Sequence, residues 1–324
     1  MIPQRKDAGA ALLSILLIVA TLSAAALIGT EAIARQTELH RLAARKATAV
    51  WSARSAEALA LSSAVKLRDV SRLPADGSGE ARQADLALPV DGGTVTLTLR
   101  EMPACLNLNA LGNPDPIAQQ RSADGLRVLL EDIGVPATDA LRAVAVLGDW
   151  IDADHVPRPY GAEDAAYQSL SNPLRPANQR LYSLDELAFL PEFTPDLRLA
   201  MKPFVCALPH DDPAPINMNA LTPLSARVLR AAAAGTISET EARRIVELRP
   251  QAGWRDVQDF RETLSRRPQA EAALAGVPLT TQGEFFIGAG AVTLDTASWN
   301  FRFHMRAGNT GEPAIVWREF GGAG

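Results

Sequence analysis

The sequence predicts an α+β protein in which one long N-terminal helix packs on an antiparallel sheet and a large helical segment interrupts that sheet. Residues 8–30 form an uncharged apolar run of 23 residues, and no proline follows before Val70. Strand-forming residues alternate at 84–102 and return only after residue 283. The chain between these two strand regions has helical patterning, so we expect it to be an insertion.

The apolar run between Asp7 and Glu31 is long enough to cross a membrane, because a bilayer core about 30 Å thick requires about 20 apolar residues in a helix. A secretory signal peptide has a shorter apolar core, of about 7 to 15 residues, before its cleavage site. Cleavage at the small residues 23–26 is the alternative. Arg5 and Lys6 precede the run, which predicts a cytoplasmic N-terminus and a periplasmic location for the bulk of the chain.

The membrane helix is expected to continue into water. Residues 31–70 are rich in Ala, Leu, Arg, Glu and Lys, which are all good helix formers. Apolar residues such as Leu39 and Leu42 share this segment with charged ones, as expected where a domain covers one side of a helix. Pro74 and the DGSG sequence at 76–79 are expected to end the helix.

The leader and the helix together resemble a known family. A short charged segment ends in Gly9 and is followed by AALLSILLIVATL, which resembles the N-terminus of type IV pilins and type II secretion pseudopilins. The resemblance implies cleavage by a membrane prepilin peptidase between Gly9 and Ala10. Ser14 then lies at the fifth mature position, where most such subunits carry glutamate. In lacking this glutamate, the sequence resembles the K-type minor pseudopilin of type II secretion, which also has an unusually large periplasmic domain.

Length and composition are compatible with that family. The 324 residues are 47% hydrophobic with a net charge of -5, which suits a globular chain with one anchor and gives no reason to expect nucleic acid. The resemblance implies a pilin-like fold. Its expected parts are a leader at 1–9, the transmembrane half of the helix at 10–30, the periplasmic half of the helix with the first strands at 31–102, an inserted α-helical domain at 103–278 and returning strands at 279–324.

Strands are predicted on both sides of the insertion. In TVTLTL (94–99), apolar residues alternate with threonines, which indicates a half-buried strand. The DGG sequence at 91–93 predicts a hairpin turn before it. Residues 283–308 and 312–320 are rich in Phe, Val, Trp and Ile between turn residues, so we expect strands there.

A short motif occurs twice in the insertion, as CLNLNAL (105–111) and PINMNAL (215–221). Each copy precedes helical patterning. Asparagine is favoured at turns and helix N-caps, so we expect a structural role at the start of a helix, with ligand binding as the alternative. The repeated positions are Asn107 and Asn217, Asn109 and Asn219, Ala110 and Ala220, and Leu111 and Leu221.

Residues 216–260 resemble a helix-hairpin-helix unit, in which SETE (238–241) forms a capping box. DNA-binding units of this kind use a tight glycine turn to present backbone amides to phosphate, whereas this segment has only Gly235 there. Residues 214–275 contain nine Arg against seven Asp or Glu. Phosphate binding depends on clustered positive charge, so we expect no nucleic-acid partner.

Residues 103–213 are strongly acidic, with eight Lys or Arg against sixteen Asp or Glu. The acidic residues concentrate in a loop at 148–167, where they repel one another unless solvent or a cation neutralises them. Calcium, which takes about six to eight oxygen ligands, suits this loop, and the K-type resemblance also implies calcium. A solvated acidic loop is the alternative. The predicted ligands are Asp152, Asp154, Glu163 and Asp164, with Asp149, Asp185 and Glu186 as further candidates, of which the last two also fit a capping box in SLDE (183–186).

Cys105 and Cys206 are the two cysteines, and they close a loop across the acidic segment. In an oxidising periplasm we expect them to form a disulfide. Two free buried thiols are the alternative.

The sequence contains neither a Gly-x-Ser-x-Gly nor a His-Glu-x-x-His motif, and its four histidines are scattered. The residues therefore give little support to catalysis, and the resemblance implies a non-enzymatic minor pseudopilin at the tip of the type II secretion pseudopilus. The resemblance implies I-type and J-type minor pseudopilins, the prepilin peptidase and the inner membrane as partners. The alternatives are a membrane-tethered DNA-binding protein of a type IV pilus or DNA-uptake system, and an anchored hydrolase with an unrecognised site.

Overall fold

The longest element is helix α1 (Ala8–Ser62), which has 55 residues and is about 80 Å long. Helix α2 (Ala64–Ser71) follows after a break at Ser63. The computed structural model describes residues 8–71, 83–169, 172–307 and 312–321. The predicted end of the helix at Pro74 and 76–79 lies outside the described residues. Apart from the break, the long helix expected from the sequence is confirmed.

The C-terminal half of α1 packs through a row of alanines. Ala49, Ala53, Ala56 and Ala60 are 0 to 3% exposed and face the apolar side of a sheet. Their spacing places them on one side of the helix, and their small size lets the helix lie close to the strands. Glu57 on the same helix is also buried, and it accepts ion pairs from Arg54 at 3.0 Å and from Arg318 at 3.2 Å.

The first hairpin consists of β1 (Gln83–Val90) and β2 (Gly93–Glu101). Its turn is formed by Asp91 and by Gly92, which has a φ of 75°, so the predicted turn is confirmed. The apolar residues of TVTLTL face α1, because Val95, Leu97 and Leu99 are at most 1% exposed.

The insertion has two halves of similar plan. The first begins with β3 (Leu106–Asn107) and closes with β4 (Val205–Cys206), which pairs with β3 in parallel. The second begins with β5 (Ile216–Asn217) and closes with β6 (Leu279–Thr280), again in parallel. These four two-residue strands are additional to the predicted helices.

The insertion is otherwise helical, as predicted. The helices of the first half are α3 (Pro116–Asp132), α4 (Ala137–Ile151), α5 (Asp164–Gln168) and α6 (Pro195–Met201), with 3₁₀ helices Leu108–Gly112 and Leu184–Phe189. The helices of the second half are α7 (Ala226–Ala232), α8 (Glu239–Glu247), α9 (Val257–Leu264) and α10 (Pro268–Leu274).

The repeated asparagines hold each half closed. Asn107 accepts the N–H of Asn109 at 3.3 Å and donates to the carbonyls of His210 and Asp212 at 2.8 Å. In the second half, Asn217 likewise accepts the N–H of Asn219 at 3.0 Å. The side chains of Asn109 and Asn219 are fully buried and bond to backbone groups of distant loops. The motif therefore has the structural role that was expected.

The remaining strands are β7 (Phe285–Leu294), β8 (Ala297–Arg306) and β9 (Ala314–Phe320). Together with the first hairpin they form one antiparallel sheet in the order β1-β2-β7-β8-β9. The insertion thus lies between two neighbouring strands of this sheet. The pairing of β8 with β9 contains an irregularity between His304 and Met305, and Val316 packs against the cluster around the two cysteines.

Candidate functional site

The acidic loop that follows α4 folds around Asp149, whose side chain is fully buried. Both carboxylate oxygens of Asp149 lie 3.2 Å from the backbone N–H of Arg158. Burial raises the pKa of Asp149, and the N–H and the charge of Arg158 oppose that rise. A Cβ atom on Gly161 would collide with this carboxylate, so the loop requires glycine at this position.

The Arg158 side chain connects two of the acidic residues. Its Nη1 atom lies 3.4 Å from Oδ1 of Asp149, and its Nη2 atom lies 2.9 Å from Oδ2 of Asp152. Gly148 makes room for this arrangement, since a Cβ there would collide with the guanidinium group. The Arg158 side chain thus pairs with one oxygen of each carboxylate, and Oδ1 of Asp152 has no hydrogen-bond partner among the residues that the structure describes.

Three carboxylates converge beside this ion pair. Asp152, Asp154 and Glu163 each present an oxygen, and the three oxygens lie within 4.8 Å of one another. Oδ1 of Asp152 and both carboxylate oxygens of Glu163 are buried and receive no hydrogen bond from any residue that the structure describes. Buried carboxylate oxygens without donors are costly, and a bound cation is one arrangement that satisfies them.

The electrostatics of the cluster agree with this geometry. Burial raises the pKa of Asp152 to about 6; Arg158 opposes this rise, and the charges of Asp154 and Asp149 add to it. Burial, followed by the charges of Asp149 and Asp152, also raises the pKa of Glu163. Negative charges on these carboxylates repel one another, and a divalent cation would relieve that repulsion. The donor set, made only of oxygens, fits calcium.

An amide beside the cluster was not predicted from the sequence. Nδ2 of Asn178 donates to the carbonyl of Asp154 at 3.2 Å and lies 2.9 Å from Nδ1 of His155. Its Oδ1 atom is buried and has no partner within the described part of the chain. Asn178 also has a φ of 46°, in the left-handed region that asparagine adopts more readily than most other residues except glycine. Its unpartnered amide oxygen makes it a further candidate ligand.

The other predicted ligands are not among the three carboxylates whose oxygens converge. Oδ2 of Asp164 is 3.7 Å from Nδ1 of His155. Asp185 and Glu186 form the start of the 3₁₀ helix Leu184–Phe189, in which Glu186 accepts the N–H of Ser183 at 3.0 Å and completes a capping box. The structure therefore brings Asp152, Asp154 and Glu163 together, pairs Asp149 with Arg158 and uses Glu186 as a helix cap.

Three aromatic side chains pack together where the acidic loop begins and ends. Trp150, which is buried, packs edge-on against Tyr167 with ring centres 5.3 Å apart and stacks on Phe189 at 6.3 Å. Trp150 and Tyr167 flank the acidic segment in sequence, so their contact fixes where the loop begins and ends.

A disulfide joins Cys105 and Cys206, which are 101 residues apart. The bond lies beside the β3–β4 ladder, so two different links close the first half of the insertion at the same place. Phe285, the first residue of β7, packs in the same cluster. The disulfide therefore lies where the insertion meets the sheet.

The membrane-related positions all lie in α1. Gly9 and Ala10 are within the helix, and Ser14 is exposed on it. The helix is long and apolar enough to cross a membrane, and the apolar segment responsible is not buried by any other part of the described chain.

Comparison with protein families gives matches in both halves of the insertion. Family models described as "Type II secretion system (T2SS), protein K" match residues 104–210 and 216–282. Among curated proteins, the type II secretion system protein K of Pectobacterium carotovorum subsp. carotovorum is 32% identical over 98% of this chain and 97% of its own length. Protein K of Aeromonas hydrophila is 35% identical over 78% of each chain.

The fold also resembles a solved structure. The chain aligns with one described as "The Crystal Structure of the GspK-GspI-GspJ complex from enterotoxigenic Escherichia coli Type 2 Secretion System", with a TM-score of 0.70 and 26% identity. The alignment covers 87% of this chain and 99% of the matched chain. The similarity thus extends beyond the insertion and covers most of the chain.

Proposed function

The chain belongs to the type II secretion system protein K family and is a minor pseudopilin, and we propose that it occupies the tip of the pseudopilus. At this position it starts or caps assembly with other minor pseudopilins during the export of folded proteins across the outer membrane. The DNA-binding alternative has no support from the family matches or the matched structure.

The observation that carries the tip proposal is Ser14. If the chain is cut after Gly9, Ser14 is the fifth mature residue. A glutamate there in other pilin subunits is thought to neutralise the N-terminal ammonium of the subunit above, and an unpaired charge in an apolar helix bundle would be costly. Serine has no charge with which to do this. A subunit that has no neighbour above it does not need the glutamate.

The position of the insertion supports the same proposal. It leaves the sheet after β2 and returns at β7, so it adds its bulk to one end of the pilin domain. A body of this size would obstruct a further subunit stacked on that end. The matched structure is a complex named for three proteins, K, I and J, and we propose corresponding I-type and J-type pseudopilins as partners of this chain.

Gel filtration tests the partner proposal. The soluble part of the chain, beginning near Ala44, is mixed at micromolar concentration with the soluble parts of the I-type and J-type subunits. We expect one peak that contains all three proteins. If each migrates separately, the tip assignment loses its main support.

We further propose that the prepilin peptidase cuts between Gly9 and Ala10 and that the mature helix is anchored in the inner membrane with its C-terminal domain in the periplasm. The motivation is the charged leader before an uncharged helix that can span a bilayer. The intact mass of the protein extracted from membranes measures the cleavage site. A mature chain that begins at Met1 or near Ala26 would contradict the proposal.

Finally, we propose a calcium site at Asp152, Asp154 and Glu163, with Asn178 as an additional oxygen ligand. Bound calcium would supply positive charge to a cluster whose buried oxygens have no hydrogen-bond donors within the described chain. Calcium would then hold together the two ends of the acidic loop. Calorimetry of the wild type and of a variant with both Asp152→Asn and Asp154→Asn tests this. The site would be excluded if the wild type shows no heat of binding at millimolar calcium. It would also be excluded if the wild type and the double variant show the same heat of binding.

A further inference from the structure

We infer that a cavity between the two halves of the insertion binds an aliphatic chain that ends in a carboxylate, and that Arg121 pairs with this carboxylate. The cavity, called here the seam cavity, is bounded by β3 and α3 of the first half and by α7 and the segment after α10 of the second half. Its lining residues all lie outside the acidic loop at 148–167.

The walls of the seam cavity are mainly apolar. They include Leu108, Leu111, Leu126 and Ile216, which are at most 3% exposed. The free space is about 40 Å³ and is partly open to solvent. It has room for about three water-sized groups, but water in such a place would lack hydrogen-bond partners. A short aliphatic chain therefore suits the space better than water does.

The two sides of the seam cavity are held in place by contacts between α3 and α7. These helices cross so closely that a Cβ atom on Gly125 would collide with the carbonyl oxygen of Ala231. Nη1 of Arg230 also lies 2.7 and 2.6 Å from the two carboxylate oxygens of Asp132. The space is thus formed before a ligand binds, as is usual for small-molecule sites.

Arg121 brings a positive charge to this apolar space. Its side chain is half-buried and lies against Gly276, where a Cβ atom would collide with the guanidinium group. The side chain of Arg121 makes no ion pair or hydrogen bond with any residue that the structure describes. Asp124, the nearest carboxylate in sequence, lies 4.0 Å from Nε of Arg127 instead. The N–H donors of Arg121 therefore remain available to a ligand.

The acidic loop shows how this protein completes a similar arrangement. There Gly148 makes room for the guanidinium group of Arg158, which pairs with Asp149 and Asp152. At the seam cavity a glycine also makes room for a guanidinium group, but no carboxylate of the described chain pairs with it. A carboxylate from a ligand would complete the pair, because the planar fork of arginine matches a carboxylate with two parallel hydrogen bonds.

The charge of the seam cavity selects among ligands. Arg121 is the one charged residue among the described residues that line it, so one negative charge is matched and a second would not be. An ammonium group would be repelled, and an uncharged chain would leave the guanidinium group unpaired. A free short fatty acid and the C-terminal residue of a polypeptide, when that residue is aliphatic, share the chemistry that fits.

Equilibrium dialysis with radiolabelled hexanoate tests the site. The full-length chain in a non-ionic detergent is dialysed at neutral pH against millimolar hexanoate, with detergent alone as the blank. We expect saturable binding to the wild type. Hexanol and hexylamine, which have the same chain but no carboxylate, should compete with hexanoate at least about tenfold more weakly than unlabelled hexanoate does.

Three variants test the roles of the lining residues. Arg121→Gln removes the charge, and Ala232→Leu fills space that Ala232 leaves open at the wall. Each should weaken hexanoate binding by about tenfold or more. Arg127→Gln is the matched control, because Arg127 lies further along α3 and pairs with Glu131 at 2.8 Å. This control should bind hexanoate as the wild type does.

Peptide competition separates the two sources of the ligand. Displacement of hexanoate by acetyl-leucyl-leucine, but not by its C-terminal amide, would identify the end of a polypeptide. Displacement by neither would identify a free fatty acid.

Three results would overturn the proposal. They are no binding of hexanoate to the wild type, equal binding to Arg121→Gln, and competition by hexanol or hexylamine as strong as that by hexanoate. Binding is measured on the chain without its partners, so any of these results would leave the proposed function unaffected.

Discussion

The substitution Asp152→Asn is expected to have opposite effects on stability with and without calcium. The side chain of Asp152 is 16% exposed, and burial raises its pKa from 3.8 to about 6. A folded-state pKa above the unfolded value means that the charged form is disfavoured in the folded protein. The resulting loss of stability is fully present above about pH 6 and disappears as the pH falls toward 3.8.

The size of the effect follows from the shift. A rise in pKa from 3.8 to about 6 corresponds to about 3 kcal/mol, which we reduce to about 1 to 2 kcal/mol because solvent screens a charge that is not fully buried. Without calcium at pH 7.5, Asp152→Asn should therefore increase the free energy of unfolding by this amount. With calcium at about 100 times its dissociation constant, the wild type should gain about 2.7 kcal/mol that the variant lacks.

Urea unfolding at pH 7.5, in a calcium chelator and in millimolar calcium, measures both effects. Asp154→Asn is the matched control, because Asp154 belongs to the same cluster but is exposed. It should remove the calcium-dependent gain but stabilise the calcium-free protein less than Asp152→Asn does, because it removes only the repulsion that the charge of Asp154 adds. Asp91 lies in the hairpin turn, far from the cluster in sequence. Asp91→Asn should therefore neither remove the calcium-dependent gain nor stabilise the calcium-free protein. The reasoning would be refuted if Asp152→Asn lowers the free energy of unfolding in the chelator. It would also be refuted if this variant is stabilised by calcium as much as the wild type is.

Three further predictions concern other parts of the chain. Replacing Cys105 and Cys206 by serine should lower the free energy of unfolding by up to about 4 to 5 kcal/mol, as measured by urea unfolding with and without reductant, because the disulfide closes a long loop. Burial, helped by the charge of Arg302, lowers the pKa of His304 from 6.5 to about 4, so the contribution of His304 to stability should fall by roughly 2 kcal/mol as the pH drops from 6.5 to 4, measured as the difference in the free energy of unfolding between the wild type and His304→Gln at each pH. Gly9→Ala should leave an uncut, membrane-bound precursor, and a mature N-terminus at Ala10 in this variant, detected by mass spectrometry, would contradict the cleavage assignment.

Much of the fold was predictable because its signals are local. The helix formers of α1, the alternation in TVTLTL and the DGG turn each specify structure within a few residues, and all three appear as predicted. The β3–β4 and β5–β6 ladders were not predicted, since two-residue strands are too short to show a period. The repeated asparagines indicated helix starts, but nothing in the sequence indicated their bonds to distant loops.

The candidate metal centre was predictable only in part, for a related physical reason. Asp152, Asp154 and Glu163 lie within one loop, and prolines and a glycine between them favour a turn that brings them together. Asn178 is distant in sequence from Asp152, Asp154 and Glu163, and only the fold brings it beside them. Its position in the sequence therefore did not indicate that it is a candidate ligand. The role of Arg158 depends on the close approach that Gly148 and Gly161 allow, and that approach is visible only in three dimensions.

The central claim is that this minor pseudopilin occupies the tip of the pseudopilus. Gold labelling of an epitope in the inserted domain, viewed by electron microscopy on isolated pseudopili, tests it most directly. The account predicts a single label at one end of each filament. Labels distributed along the filament would contradict it.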